Sequence, residues 1–188
     1  SMQQMLDLFK YTFDGAPDGP NGTEGIIYTD ILIEVLYADD NDANIQNGTP
    51  NDLAIVQAFA LHGITLLSNA VISHNPISNS IANSDIAINA NISSVYSWTL
   101  DSLSAHCYYR LNDATSWNDL PMSLSGSGNN RSVQVNIPGQ LDGNIIAYYI
   151  FFTDVYGYET GITPMAANIM PIRNANLPYF ILVGYQLT

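Results

Sequence analysis

Carboxylates and amide oxygens crowd into one short stretch, Asp39, Asp40, Asn41, Asp42 and Asn44, followed closely by Asn47 and Gly48. Calcium and other hard cations select oxygen donors of this kind, which makes Asp39, Asp40, Asp42 and Asn44 the candidate metal ligands of the chain. Asp40, Asp42 and Asn44 alternate as in the first half of an EF-hand loop. The second half fails, because Ile45 stands where that loop needs glycine and Asn51 where it needs a bidentate glutamate. An EF-hand is excluded, and two readings stay open. One is a partial calcium loop; the other is a solvated acidic connector whose charges lie near the N-terminus of the helix that follows.

The remaining reactive groups do not assemble by spacing. The three histidines, His62, His74 and His106, are scattered, and none has a glutamate beside it, so the His-Glu-x-x-His pattern of a zinc peptidase is missing. His106 and Cys107 are neighbours on a predicted strand, where adjacent side chains point to opposite faces and form no thiolate dyad. Cys107 is the only cysteine and reads as a small buried apolar residue. Serine is abundant, yet no Gly-x-Ser-x-Gly elbow and no glycine-rich phosphate loop occurs, and no histidine is placed by spacing to activate a nucleophile. No catalytic residue is assigned. Aromatics are the other chemical resource: Tyr108, Tyr109, Trp117, Tyr148, Tyr149, Tyr156 and Tyr158. On an exposed sheet face some of them would stack on sugar rings, and Tyr109 and Trp117 are the candidate ligand-binding residues; the alternative is that they serve core and edge packing.

Charge limits the partners. The chain has 188 residues with four Lys/Arg (Lys10, Arg110, Arg131, Arg173) against 17 Asp/Glu, a net charge of -13. That field repels polyanions, so nucleic acid and anionic membrane surfaces are poor partners. No apolar run approaches the ~20 residues of a membrane span, and Ser1-Met2-Gln3-Gln4 carries neither the basic flank nor the apolar stretch of a signal peptide. Ser1 ahead of Met2 suggests a fragment excised from a longer protein.

Texture changes near residue 66, which divides the chain into a helical segment, 1–66, and a β-rich region, 67–188. Pro50 to His62 predicts a helix, with Thr49 as N-cap, Pro50 at the first position, Asp52 in the first turn and Gly63 as the stop. Its broad apolar face, Leu53, Ile55, Val56, Phe59, Ala60 and Leu61, must pack on something. Ile26 to Tyr37 predicts the partner helix, although its β-branched content leaves a strand reading open. Met2 to Tyr11 suits a third short helix, and the Gly/Pro-rich stretch 15–22 a loop. So little helix builds no core of its own; it docks on the β region or on a domain missing from this chain.

Strands are predicted at 70–74, 85–91, 104–111, 116–120, 132–137, 144–153 and 179–183. Their number and spacing define the fold expected here: mainly β, an antiparallel sandwich of immunoglobulin or fibronectin III type preceded by a small α-helical segment. Val133, Val135 and Ile137 alternate cleanly with polar residues. Ile145 to Phe152 is continuously apolar, as in a central strand covered on both faces, with Tyr108, Tyr109 and Arg110 on a strand opposite it.

The run from Val35 to Gly63, an acidic loop leading through Asn47-Gly-Thr-Pro50 into a helix that ends in His62-Gly63, resembles a segment of secreted bacterial zinc metallopeptidases of the thermolysin and fungalysin kind. The stretches Cys107–Asn112, Trp117–Met122, Ile137–Gln140, Gly143–Asp154 and Leu177–Gly184 look like the immunoglobulin-like modules that follow catalytic domains in secreted bacterial enzymes. The resemblance implies a C-terminal, non-catalytic accessory region of a secreted or cell-surface bacterial protein, whose partner is the missing catalytic domain. A protein or glycan ligand is the second class of partner implied. The family's acidic loop maps onto Asp39, Asp40, Asp42 and Asn44, whereas its zinc ligands and catalytic glutamate have no counterpart here. Asn51 departs from the histidine that follows Gly-Thr-Pro in the family, which leaves open an inactive parent. The alternative function is a carbohydrate- or cell-surface-binding sandwich.

Overall fold

The computed structural model describes residues 24–68, 70–164 and 177–184. The predicted helix over 2–11 and the loop over 15–22 lie outside these residues. Two helices come first, α1 (Glu24–Asp39) and α2 (Asp52–Ala60), joined by a loop with one 3-10 turn at Ile45–Asn47. Ten strands follow: β1 (Val71–His74), β2 (Asn79–Ser80), β3 (Ile86–Ser93), β4 (Ser104–Leu111), β5 (Asn118–Pro121), β6 (Ser123–Ser127), β7 (Asn130–Ile137), β8 (Ile145–Thr153), β9 (Glu159–Thr163) and β10 (Tyr179–Val183). They form a four-stranded sheet in the order β1-β3-β7-β6 and a six-stranded sheet in the order β2-β10-β8-β4-β5, with β9 on the distal half of β8. This is the expected sandwich preceded by a small helical segment. All pairings are antiparallel except the short one between β2 and β10.

Period-2 patterning sets the inner faces. On β3, Ile86, Ile88, Ala90 and Ile92 point inward, and on β8 Ile146, Tyr148, Ile150 and Phe152 do the same. Cys107, Ile137, Ile181 and Val183 complete the same core. Truncating one of these large side chains to alanine costs ~2–5 kcal/mol. Three strands have no sequence counterpart: β2, β6 and β9. Ser123-Leu-Ser-Gly-Ser127 has low strand propensity, but Gly128 (φ 63°) opens a two-residue hairpin loop that lays β6 along β7, Ser127 opposite Asn130.

The helical segment shares a core with the sandwich. Leu32, Ile33 and Leu36 of α1 and Ile55 and Val56 of α2 pack with Leu66, and Tyr96, Trp98, Tyr156 and Tyr158 of the β region close over them. Two hydrogen bonds cross the joint: Tyr96 Oη donates to Asp30 Oδ1 (3.2 Å) and Tyr156 Oη to Asp52 Oδ2 (2.8 Å). Burial, and then the adjacent carboxylate, pushes the Tyr96 phenol up to about 12. The apolar face of α2 is narrower than expected, since Leu53 and Leu61 are exposed. The start of α2 also differs from expectation. It begins at Asp52, and Asn51 in the cap position makes no side-chain cap bond, because the Thr49 hydroxyl and both the backbone and side-chain N–H groups of Asn51 donate to Asp39 instead (2.7 Å each). The stop is the expected one: Gly63 (φ 74°) lets Ile64 N–H reach Phe59 O (3.2 Å) and its own N–H reach Ala60 O (3.0 Å).

One polar pin joins the sheets. His74 Nδ1 donates to Asn89 O (2.6 Å), so Nε2 is the acceptor for the buried Tyr148 hydroxyl (2.8 Å), which in turn accepts from Ile77 N–H (3.3 Å). Half-burial holds the imidazole below its ordinary 6.5, against the upward pull of Asn89 O. The unfolded chain then binds a proton first on acidification, so stability present above pH 6.5 falls as the pH drops through the folded value. Thermal melts from pH 8 to 5 are expected to show a decline in Tm below about 6.5 that is shallower in His74→Phe; equal slopes in both proteins would contradict the pin.

Candidate functional site

The outer face of the six-stranded sheet carries the densest set of chemically capable side chains. β8 supplies Ala147, Tyr149 and Phe151 to this face, β4 supplies Ser104, His106, Tyr108 and Arg110, and β5 supplies Asp119, in the register Tyr149–Tyr108–Asp119. Trp117, just before β5, folds back over Tyr149 with ring centroids 4.8 Å apart at 76°. Tyr108 stacks on Tyr149 (5.1 Å, 21°), and His106 stacks on Tyr108 (6.1 Å, 20°). The Arg110 guanidinium lies over the Trp117 ring, its carbon 4.6 Å from the centroid, a cation–π contact. One band results: Arg110, Trp117, Tyr149, Tyr108, His106. Tyr149 is buried within it, while Trp117, Tyr108 and Arg110 remain partly exposed. The Tyr108 phenol is held above its ordinary value by burial and then by Asp119. Exposed Phe180 and Leu182 on β10, opposite Ala147 and Ile145, extend the apolar face sideways.

The two aromatic candidates part company here. Trp117 belongs to the band; Tyr109 does not, because strand alternation turns it toward the core with Leu111. The outward residue is its neighbour Tyr108. Alternation also separates His106 from Cys107, whose thiol is fully buried and pushed up to about 12 by burial and then by Asp119.

Spacing in the sequence failed to place a histidine beside a serine, but the strand does so. His106 Nδ1 meets Asp119 Oδ1 at 2.6 Å, and Nε2 meets Ser104 Oγ at 3.1 Å. The connectivity is that of a nucleophile, a base and an orienting carboxylate. Acyl transfer also needs donors preorganised for the oxyanion; Ser104 is the first residue of β4, opposite Thr153. The hydrogen bonds hold His106 at the rim of the aromatic band.

The acidic loop does not converge on one point. Asp39 faces Thr49 and Asn51, whose hydrogen bonds outweigh its burial and hold its carboxyl below the usual range. Asp40 Oδ1 accepts from Asp42 N–H (3.1 Å), Asp42 Oδ1 from Asn44 N–H (3.0 Å), and Asp42 Oδ2 from Asn47 Nδ2 (2.8 Å). The first two are successive Asx turns. Asn44 contributes its backbone N–H, with no side-chain bond to the turn that follows. No three His, Cys, Asp or Glu side chains gather at metal-holding distance among the described residues. Gly48, at φ 86°, packs so close to Asp52 Oδ2 that a Cβ would stand 2.7 Å from it, which ties the loop to the joint between helices and sandwich.

The architecture and this face together describe an immunoglobulin-like β-sandwich with a docked helical segment and one aromatic outer sheet face. No protein-family model matches the chain, and no curated protein matches it. Among solved structures it is similar to the cycloalternan-forming enzyme from Listeria monocytogenes in complex with a pentasaccharide substrate, at 15% identity and TM-score 0.42, over 60% of this chain and 10% of that one. It is also similar to the GspB Siglec domain (16%, TM-score 0.38, 63% and 59%) and to murine CRIg (8%, TM-score 0.30, 63% and 98%). All three likenesses are distant.

A cation at this loop would compete with Asn51 for the Asp39 carboxylate and with Asn47 for that of Asp42. Millimolar calcium is expected to leave Tm where EDTA leaves it; a concentration-dependent rise, as mass action requires of a ligand of the native state, would restore the loop as a cation site.

Proposed function

We propose that this chain is a non-catalytic accessory module whose outer sheet face binds carbohydrate on a cell surface or extracellular polymer. The observation that carries the reading is the band from Arg110 to His106. Its aromatic rings are held together by stacking, by the edge-on contact of Trp117 with Tyr149 and by a cation, with polar hydrogen-bonding groups along the rim. Sugar rings offer an apolar C–H face and a polar edge, and binding sites of that complementarity combine aromatic surface with a few fixed polar groups. Rigid aromatics lose little side-chain entropy on binding. A neutral oligosaccharide array is expected to bind the chain, and Trp117→Ala to weaken binding about tenfold, ~1.4 kcal/mol, with an unchanged circular dichroism spectrum. Tyr109→Phe, on the inward side, is expected to bind normally. Absence of binding across a broad array, or equal loss in both variants, would overturn the reading.

A specific feature also favours the second reading, an accessory region of a secreted bacterial metallopeptidase-like protein. The helical segment, which bears the resemblance to the end of a peptidase domain, is fused to the sandwich by a shared core and by the Tyr96–Asp30 and Tyr156–Asp52 hydrogen bonds. Such a joint would hold the sandwich at a fixed angle to the missing catalytic domain. On this reading the chain supplies no zinc chemistry, and incubation with zinc and casein is expected to release no peptides; reproducible zinc-dependent turnover would contradict it.

A further inference from the structure

We infer that the aromatic face selects acidic sugars and that Arg110 is its carboxylate receptor; this rests on the carbohydrate-binding reading and names the ligand class of the same face. The starting point is scarcity. In a chain with four Lys/Arg and 17 Asp/Glu, a cation finds an acidic partner easily, and Arg131 does so, donating to Asp101 from a buried position. Arg110 has no carboxylate within ion-pair distance among the described residues. Its recorded hydrogen bond runs from Nη1 to Ala114 O at a long 3.3 Å, and Nε is buried without a partner. The guanidinium is nevertheless held in place, with its carbon over the Trp117 ring. An arginine fixed on an aromatic ring keeps the planar fork of N–H donors that matches a carboxylate in two-point fashion. Held this way it loses less freedom on binding than a mobile side chain.

The surrounding charges decide whether an anion can approach. The acidic groups closest to Arg110 in register and sequence are Asp119, opposite Tyr108 on β5 with its Oδ1 engaged by His106, and the exposed Asp113, which precedes the Ala114 carbonyl that Arg110 contacts. Neither forms an ion pair with Arg110, and at physiological salt fields decay over ~8 Å, so a ligand carboxylate in direct contact with the guanidinium meets that cation at shorter range than either acid. The band then reads as two halves: rings from Trp117 to Tyr108 for the sugar face, and Arg110 for an exocyclic carboxylate at its end.

The test pairs two oligosaccharides of equal length, one ending in glucuronate and one in glucose, titrated into the full chain and into Arg110→Gln and Arg110→Lys. The expected result is at least tenfold tighter binding of the glucuronate form at low salt, narrowing as salt rises. That preference should be lost in Arg110→Gln and reduced in Arg110→Lys, while Arg110→Gln still binds the glucose form. Equal affinity of the two forms, or an Arg110→Gln variant that loses both equally while remaining folded, would overturn the acidic preference and leave the neutral platform standing. Binding of neither form, together with an unresponsive Trp117→Ala, would overturn both.

Discussion

Strand β8 is buried on both faces over its middle. Its inner residues Ile146, Tyr148, Ile150 and Phe152 are fully buried between the sheets, and its outer residues Ala147 and Tyr149 are buried as well. A strand of this kind destabilises the fold unless both sides are covered. The inner side is covered by the opposite sheet; on the outer side, among the described residues, side chains of β4 and of the segment before β5 lie against it. Tyr108 and Trp117 both contact Tyr149 there, and Arg110 lies over Trp117. The face we connect with binding is thus a solution to a folding problem, and its rigidity follows from that origin. The same interleaving leaves ring edges and one guanidinium facing water.

A second constraint works at the other end of the molecule. Nine residues of α2 and sixteen of α1 bury too little to stand alone, and the sandwich supplies the missing wall through Tyr96, Trp98, Tyr156 and Tyr158. Asp154 organises part of that wall: its Oδ1 accepts from the N–H groups of Tyr156 and Tyr158, aiming both rings at the helices. Burial holds its carboxyl above the ordinary value despite those bonds. Asp39 plays the corresponding role on the helical side by tying the end of α1 to the start of α2.

Much of this was legible in the sequence, and the reasons are particular. The continuous run Ile145–Phe152 announced a central strand, Val133 and Ile137 announced β7, and Gly63 announced the end of α2, each through a pattern that tertiary context reinforces. Strand β6 was not legible, since its serines and glycine form a strand only because β7 lies alongside. Of the two aromatic candidates, Trp117 lies on the outer face and Tyr109 turns to the core, with Tyr108 outward in its place. Alternation relates Arg110, Tyr108 and His106 as one face and Tyr109 as the other, yet a charge alone does not fix which face is outward, since Arg131 on β7 is buried. The acidic loop showed which donors were present, yet not which way each carboxylate turns, because that depends on amide partners such as Asn47 and Asn51 that compete with any ion.

The account turns on whether the outer face, rather than any other surface, meets the ligand. Chemical-shift mapping on isotopically labelled chain, titrated with a soluble oligosaccharide, tests this most directly. The account predicts that perturbations concentrate on Tyr108, Arg110, Trp117 and Asp119 and leave the four-stranded sheet unchanged. Perturbations confined to the four-stranded sheet or the helical segment, or none at saturating ligand, would contradict it.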